Sequence, residues 1–81
     1  MRLDLVLKQS GIIKRRTIAK ALAENDKVYV NSRLAKPSTD VKDGDILTLH
    51  LGGKVVDVVI HFEMRYKKEF PVFTELKDKN A

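Results

Sequence analysis

The sequence predicts a small α+β domain, with two N-terminal helices packed on a small, mainly antiparallel sheet. Three observations carry that expectation. Apolar residues recur at helical spacing in two short segments of the first 24 residues. From Val28 onward they fall in short β-prone runs, one of which alternates between an apolar and a mixed face. Turn signals, Asp43-Gly44-Asp45 and Gly52-Gly53, separate those runs.

The first helix is expected over residues 2–9, where Leu3, Val6 and Leu7 make one apolar face. Ser10 and Gly11 end it. Ile12 and Ile13 form an apolar linker tucked under both helices. The second helix runs from about Arg15 to Glu24, with Ile18, Ala19, Leu22 and Ala23 on its core face. Arg16, Lys20 and Glu24 form an adjoining polar stripe, and the alanines permit close backbone approach. Asn25 and Asp26 are stop residues, because both tolerate a left-handed backbone.

Val28–Val30 reads as a strand, Asn31-Ser32 as a turn, and Leu34 to Lys36 as a segment that pairs back. Pro37 and the Ser-Thr-Asp after it mark a loop. Asp43-Gly44-Asp45 turns the chain into ILTLHL, and Gly52-Gly53 joins that strand to KVVDVVIHF. In the latter run Val56, Val58, Ile60 and Phe62 are the expected core face, because Asp57 and His61 lie on the other. After Phe62 the pattern fades, and Pro71 argues against a helix. Residues 64–81 read as a docked extension that frays from about Lys77. Its Tyr66, Phe70, Val72 and Phe73 are expected to complete the domain's own small core; their other reading is a docking surface for a partner protein.

Eighty-one residues make one domain at most. No secretory signal is expected, since Asp4 interrupts the early apolar run, and no stretch is long enough for a membrane span. The absence of cysteine excludes disulfides and thiolate metal sites. Net charge is +5 and the pI is about 9.6. The whole excess sits in the first quarter: residues 1–20 hold Arg2, Lys8, Lys14, Arg15, Arg16 and Lys20 against Asp4 alone. Clustered cations on a basic chain are the electrostatic footprint of a nucleic-acid binder.

No catalytic or metal constellation stands out, and no cofactor is expected. His50 and His61 lie in separate strands without ligand spacing, and read as surface histidines on a half-buried sheet. Gly52-Gly53 lacks the helix and lysine of a phosphate loop. Asp43 and Asp45 flank a turn glycine, where carboxylates hydrogen-bond turn amides. Nothing makes a nucleophile–base pair, so the chain is read as a binding protein and not an enzyme.

The binding signal is at the second helix. Lys14, Arg15 and Arg16 crowd its N-terminus, and Lys20 follows one turn later. The free N–H groups and dipole of a helix start favour anions, so cations there oppose folding by roughly 0.3–1 kcal/mol each. A phosphate arriving at the same place is held by N–H groups, dipole and guanidinium together. The defect becomes cooperative once RNA is bound.

Several motifs, in order, resemble one family. RLD at Arg2–Asp4, RR at Arg15-Arg16 followed by Ala19 and Leu22, VYVN at Val28–Asn31, KPS at Lys36–Ser38 and GD at Gly44-Asp45 resemble the RNA-binding domain first named for small-subunit ribosomal protein S-four. That resemblance implies the αL motif: two N-terminal helices packed on a small, bent, mainly antiparallel sheet, with a short C-terminal extension. It covers residues 2–51, within a domain read over 1–63. Where the family carries Ser-Arg, Gly and Asn-Gly, this chain has Arg15-Arg16, Asp26 and Asn31-Ser32.

The run RLDLVLKQSGIIKRRTIAKALA in so short a chain most resembles the RqcP (YabO) family, relatives of a heat-shock ribosome-binding protein. The resemblance implies a cytoplasmic factor of bacterial ribosome-associated quality control. It would bind stalled large subunits carrying peptidyl-tRNA, contact large-subunit rRNA and tRNA, and hold P-site tRNA while RqcH adds alanine tails. The alternative is a general rRNA-binding assembly factor or RNA chaperone. A monomer with no membrane partner is expected. Carried over residue by residue, Arg2 and Arg16 face RNA, supported by Lys14, Arg15 and Lys20, with Asn31 and Lys36 in the matching loops. Asp4 is expected to be structural, in the first turn of the first helix.

Overall fold

The computed structural model describes residues 1–76; the expected fraying from Lys77 lies outside them. Helix α1 spans Leu3–Gln9 and α2 spans Arg16–Glu24. Five strands follow: β1 Val28–Val30, β2 Arg33–Leu34, β3 Ile46–Leu51, β4 Lys54–Arg65 and β5 Lys68–Leu76. They form one sheet in the order β2-β1-β3-β4-β5, and every pairing is antiparallel.

The helix periodicity holds for α1. Leu3, Val6 and Leu7 are fully buried, and Gly11 takes the left-handed φ of +87° that turns the chain away. In α2 only Ala19 and Ala23 are fully buried; Leu22 is half-buried and Ile18 is 51% exposed. Two small residues four apart let α2 lie close to α1, and that approach leaves Ile18 on the outer side. Asn25 ends the helix as expected, its amide donating to the Ala21 carbonyl at 2.7 Å, and Asp26 follows at φ +61°.

The core lies between the helices and one face of the sheet. Val28, Val30, Leu47, Leu49, Val58 and Ile60 supply the sheet side. The even-numbered face of β4 is the inner one, as the alternation predicts: Val58 and Ile60 are buried while Val55 is 62% exposed. The Asn31-Ser32 turn joins β1 to β2 with φ values of +50° and +68°, so both residues adopt the conformation that Asn-Gly would favour. Asp45 Oδ2 accepts from the Lys42 N–H at 2.8 Å, as expected of a turn carboxylate. Asp43 Oδ1 accepts from the Phe62 N–H at 2.8 Å, tying that turn to β4.

The last part of the chain corrects the sequence reading. Residues 68–76, read as part of a docked extension, form a fifth strand, paired with β4 from Asp57↔Leu76 to Arg65↔Lys68. Pro71 hid it. Ile60 exchanges main-chain hydrogen bonds with Gly44 and Asp45, on the β3 side of β4. Residues two apart share that direction, so the odd residues of β4 face β5, and their partners on β5 are even-numbered. Pro71 therefore turns its missing N–H to the open edge, where no ladder bond is lost. It also blunts that edge against pairing with another chain. The aromatic residues do not close the core as expected: Pro71 is buried and Phe70 and Val72 are half-buried, but Phe73 is 40% and Tyr66 99% exposed.

Candidate nucleic-acid interface

The two helix N-termini are treated differently by the fold. At α1 the Leu3 N–H donates to the Thr39 carbonyl at 2.8 Å and the Asp4 N–H to the Pro37 carbonyl at 3.2 Å. The loop from Pro37 to Thr39 thus satisfies the first turn of α1, and Arg2 bridges to Asp40 beside it. At α2 no side chain caps the helix, no acid sits in its first turn, and its N-cap is Arg15 in extended conformation. Among the described residues, no hydrogen bond uses the Arg16, Thr17 or Ile18 N–H. These are the donors that attract an anion to a helix start.

Asp4 organises the cations around that point. Its side chain is 1% exposed. Arg2 donates to both of its oxygens, from Nε at 3.2 Å and from Nη2 at 3.4 Å. Arg16 approaches from the other helix, Nε 3.5 Å from Oδ2. The Leu5 N–H also donates to Oδ1 at 2.8 Å. A buried carboxylate is tolerable only when paired and hydrogen-bonded; here Arg2 and the Leu5 N–H supply the hydrogen bonds and Arg16 a second positive charge. Both arginine side chains remain 49% exposed, so the pairing does not withdraw them from solvent. Arg16 is joined through Nε alone; its terminal nitrogens take part in none of the hydrogen bonds of the described residues. The arrangement holds two planar forks at one surface with donors to spare, which suits bidentate contact with phosphate.

The other candidate residues divide. Lys14, Arg15 and Lys20 are exposed and, among the described residues, form no ion pair. The Lys36 ammonium lies 3.3 Å from Asp26 Oδ1, both side chains about three-fifths exposed. Such a pair is weak and easily redirected. Asn31 is exposed, and its amide bonds within the protein: its Nδ2 donates to Asp45 Oδ1 at 3.0 Å and its Oδ1 accepts from the Ile46 N–H at 3.0 Å. It fastens the β1–β2 turn to the start of β3. Sequence reasoning placed Asp4 correctly as structural but missed that it gathers Arg2 and Arg16. The available signal was a single acid among six cations.

The histidines make other contacts. His50 packs against Tyr29 with ring centroids 5.6 Å apart, and His61 Nδ1 lies 3.8 Å from Asp43 Oδ1. At the chain start, the Met1 ammonium is 2.8 Å from Asp40 Oδ1. The hydrogen bond and charge of that ammonium hold the Asp40 carboxyl below its ordinary value, with a smaller contribution from Lys42.

Comparison with known proteins identifies the family. The S4 domain matches residues 1–47. The RQC P-site tRNA stabilizing factor of Listeria innocua is 46% identical over 84 residues, covering 100% of this chain and 91% of the relative. Its namesake from Bacillus subtilis is 49% identical over 61 residues, covering 75% and 71%. The chain belongs to the family of RQC P-site tRNA stabilizing factors, built on the S4 domain. A solved structure, the trimeric heat shock protein 15 of Vibrio cholerae, superposes with a TM-score of 0.76 at 26% identity, over 94% of this chain and 81% of that one. For a member of the S4 family, two helices on a five-stranded antiparallel sheet match the fold class expected from the sequence. The sheet carries more of this family member than the motif core suggested, because β4 and β5 lie beyond residue 51.

Proposed function

We propose that the chain is a non-enzymatic RNA-binding factor of bacterial ribosome-associated quality control. It binds stalled large subunits that carry peptidyl-tRNA, touches large-subunit rRNA and tRNA, and stabilises the P-site tRNA while RqcH adds alanine. The observation that carries this reading is the uncapped start of α2, with Arg2 and Arg16 held beside it by buried Asp4. The names of the full-length relatives support it.

In this reading Arg2 and Arg16 hold phosphates, Lys14, Arg15 and Lys20 extend the basic surface, and Lys36 is a secondary contact. Asn31 is a turn fastener. The site of action is the cytoplasm; no helix of the described residues is long and apolar enough to cross a membrane. It acts as a monomer. The solved Vibrio cholerae heat shock protein 15 is trimeric, so sedimentation of the free protein tests that point.

The deciding experiment is a pull-down of the tagged protein, with its RNA and protein identified. Large-subunit rRNA, tRNA and the alanine-tailing factor are expected together. Recovery of naked rRNA or assembly precursors without tRNA would replace this reading with a general assembly role. Binding should weaken steeply as salt rises, because each phosphate contact releases a counterion.

A further inference from the structure

Residues 63–69 are exposed without interruption. They form the distal end of the β4–β5 hairpin. Its last tie to the rest of the sheet is the Phe62 N–H bond to Asp43. From Phe62 to Arg65 the arm runs about 10 Å further, at the usual rise per strand residue. Its tip is Arg65-Tyr66-Lys67-Lys68.

Two features of that tip oppose folding. Tyr66 and Lys67 occupy the turn with φ values of +51° and +64°. A two-residue hairpin turn wants Asn-Gly there, and a bulky residue at positive φ is an outlier. The Tyr66 ring, meanwhile, is 99% exposed and buries nothing. Around it stand three cations. Arg65 pairs with Glu63 at 3.2 Å and lies 4.9 Å from the centre of the Phe70 ring, which stiffens the stem. Lys67 and Lys68 have no ion-pair partner among the described residues.

We propose that this hairpin tip is a second RNA contact, in which Tyr66 stacks on an unpaired base and Lys67 and Lys68 hold the phosphates beside it. An exposed planar ring beside two ammonium groups is the pairing of chemistries that single-stranded nucleotides recruit. Met64 in the same arm is 69% exposed, but two lysines beside the ring disfavour a protein-docking tip, because protein interfaces are depleted in lysine. The inference rests on the RNA-binding reading above and adds a separate contact to it. The stem begins near the first: Met1, Phe62 and Glu69 line one cleft, and Met1 adjoins Arg2. One ribonucleoprotein surface can engage both, and each contact raises the effective concentration of the other.

The double variant Tyr66→Asn/Lys67→Gly tests this, because it installs the favoured turn while removing ring and charge. Its melting temperature should rise. Its affinity for a labelled tRNA and for purified large subunits at low salt should fall on at least one of them, by about tenfold, in the range of one lost stacking contact. Tyr66→Phe keeps the ring and should retain full affinity. Arg16→Ala runs alongside. If Arg16→Ala loses binding and the double variant does not, the hairpin contact is wrong and the RNA reading stands. If neither loses binding, both fall. Loss of subunit association, with binding to tRNA and to deproteinised large-subunit rRNA unchanged, assigns the tip to a protein and overturns the proposal. So does loss of affinity in Tyr66→Phe.

Discussion

Arg16 Nε lies 3.5 Å from the Oδ2 of Asp4, a carboxylate that is 1% exposed. The arginine that burdens the start of α2 is thus also a counter-ion for α1. Its two effects on stability have opposite signs. Relief of the helix dipole on removing it is worth roughly 0.3–1 kcal/mol, and a 3.5 Å pair from a half-exposed arginine, to a carboxylate that Arg2 still neutralises, is worth about the same. Arg16→Ala should therefore melt within about 0.5 kcal/mol of the parent, by that cancellation. RNA titrations on the same sample should show at least a tenfold loss of affinity. A large loss of stability would mean that Arg16 serves the fold first.

Asp4→Asn makes the opposite use of the same geometry. It raises net charge by one, which by long-range attraction alone should strengthen RNA binding. Arg2 and Arg16 lose the anion that orients them, so affinity should fall instead. The lost charge-assisted bonds should also lower stability by about 1–3 kcal/mol. Tighter RNA binding by the variant would count against Asp4 as a positioning residue.

Ser32 sits at φ +68° with a side chain that makes no hydrogen bond among those of the described residues. Ser32→Gly removes the clash of Cβ with its own backbone, and should stabilise the protein by about 0.5–1 kcal/mol. Chemical denaturation would detect this as a higher midpoint at unchanged slope. RNA affinity should not change.

Asp40 predicts an acid limb. Its folded pKa is lowered by the Met1 ammonium. A lowered carboxyl stabilises the fold above its unfolded value and loses that contribution as pH falls through the folded value. Stability should therefore decline below the ordinary carboxylate range. Asp40→Asn should flatten a small part of that decline in melts between pH 2 and 5, a window set about the usual carboxyl pKa. An identical acid limb in the variant would show that the pair contributes nothing.

The sequence alone determined the elements whose cause is local. Helical spacing marked α1, alternation marked the inner face of β4, and Asn25-Asp26 marked the end of α2, because each follows from neighbours along the chain. The cations of the candidate interface were legible for the same reason: they crowd a few consecutive positions. Tertiary structure decided what depends on direction across the chain. Whether Pro71 breaks a strand depends on which side its nitrogen faces, and that is set by the register with β4. Whether Ile18 is buried depends on how close Ala19 and Ala23 bring α2 to α1. Whether Asp4 is one charge among many or the point where Arg2 and Arg16 meet depends on two helices folding together. Such facts are properties of packing, and a linear pattern contains only the residues that packing selects among.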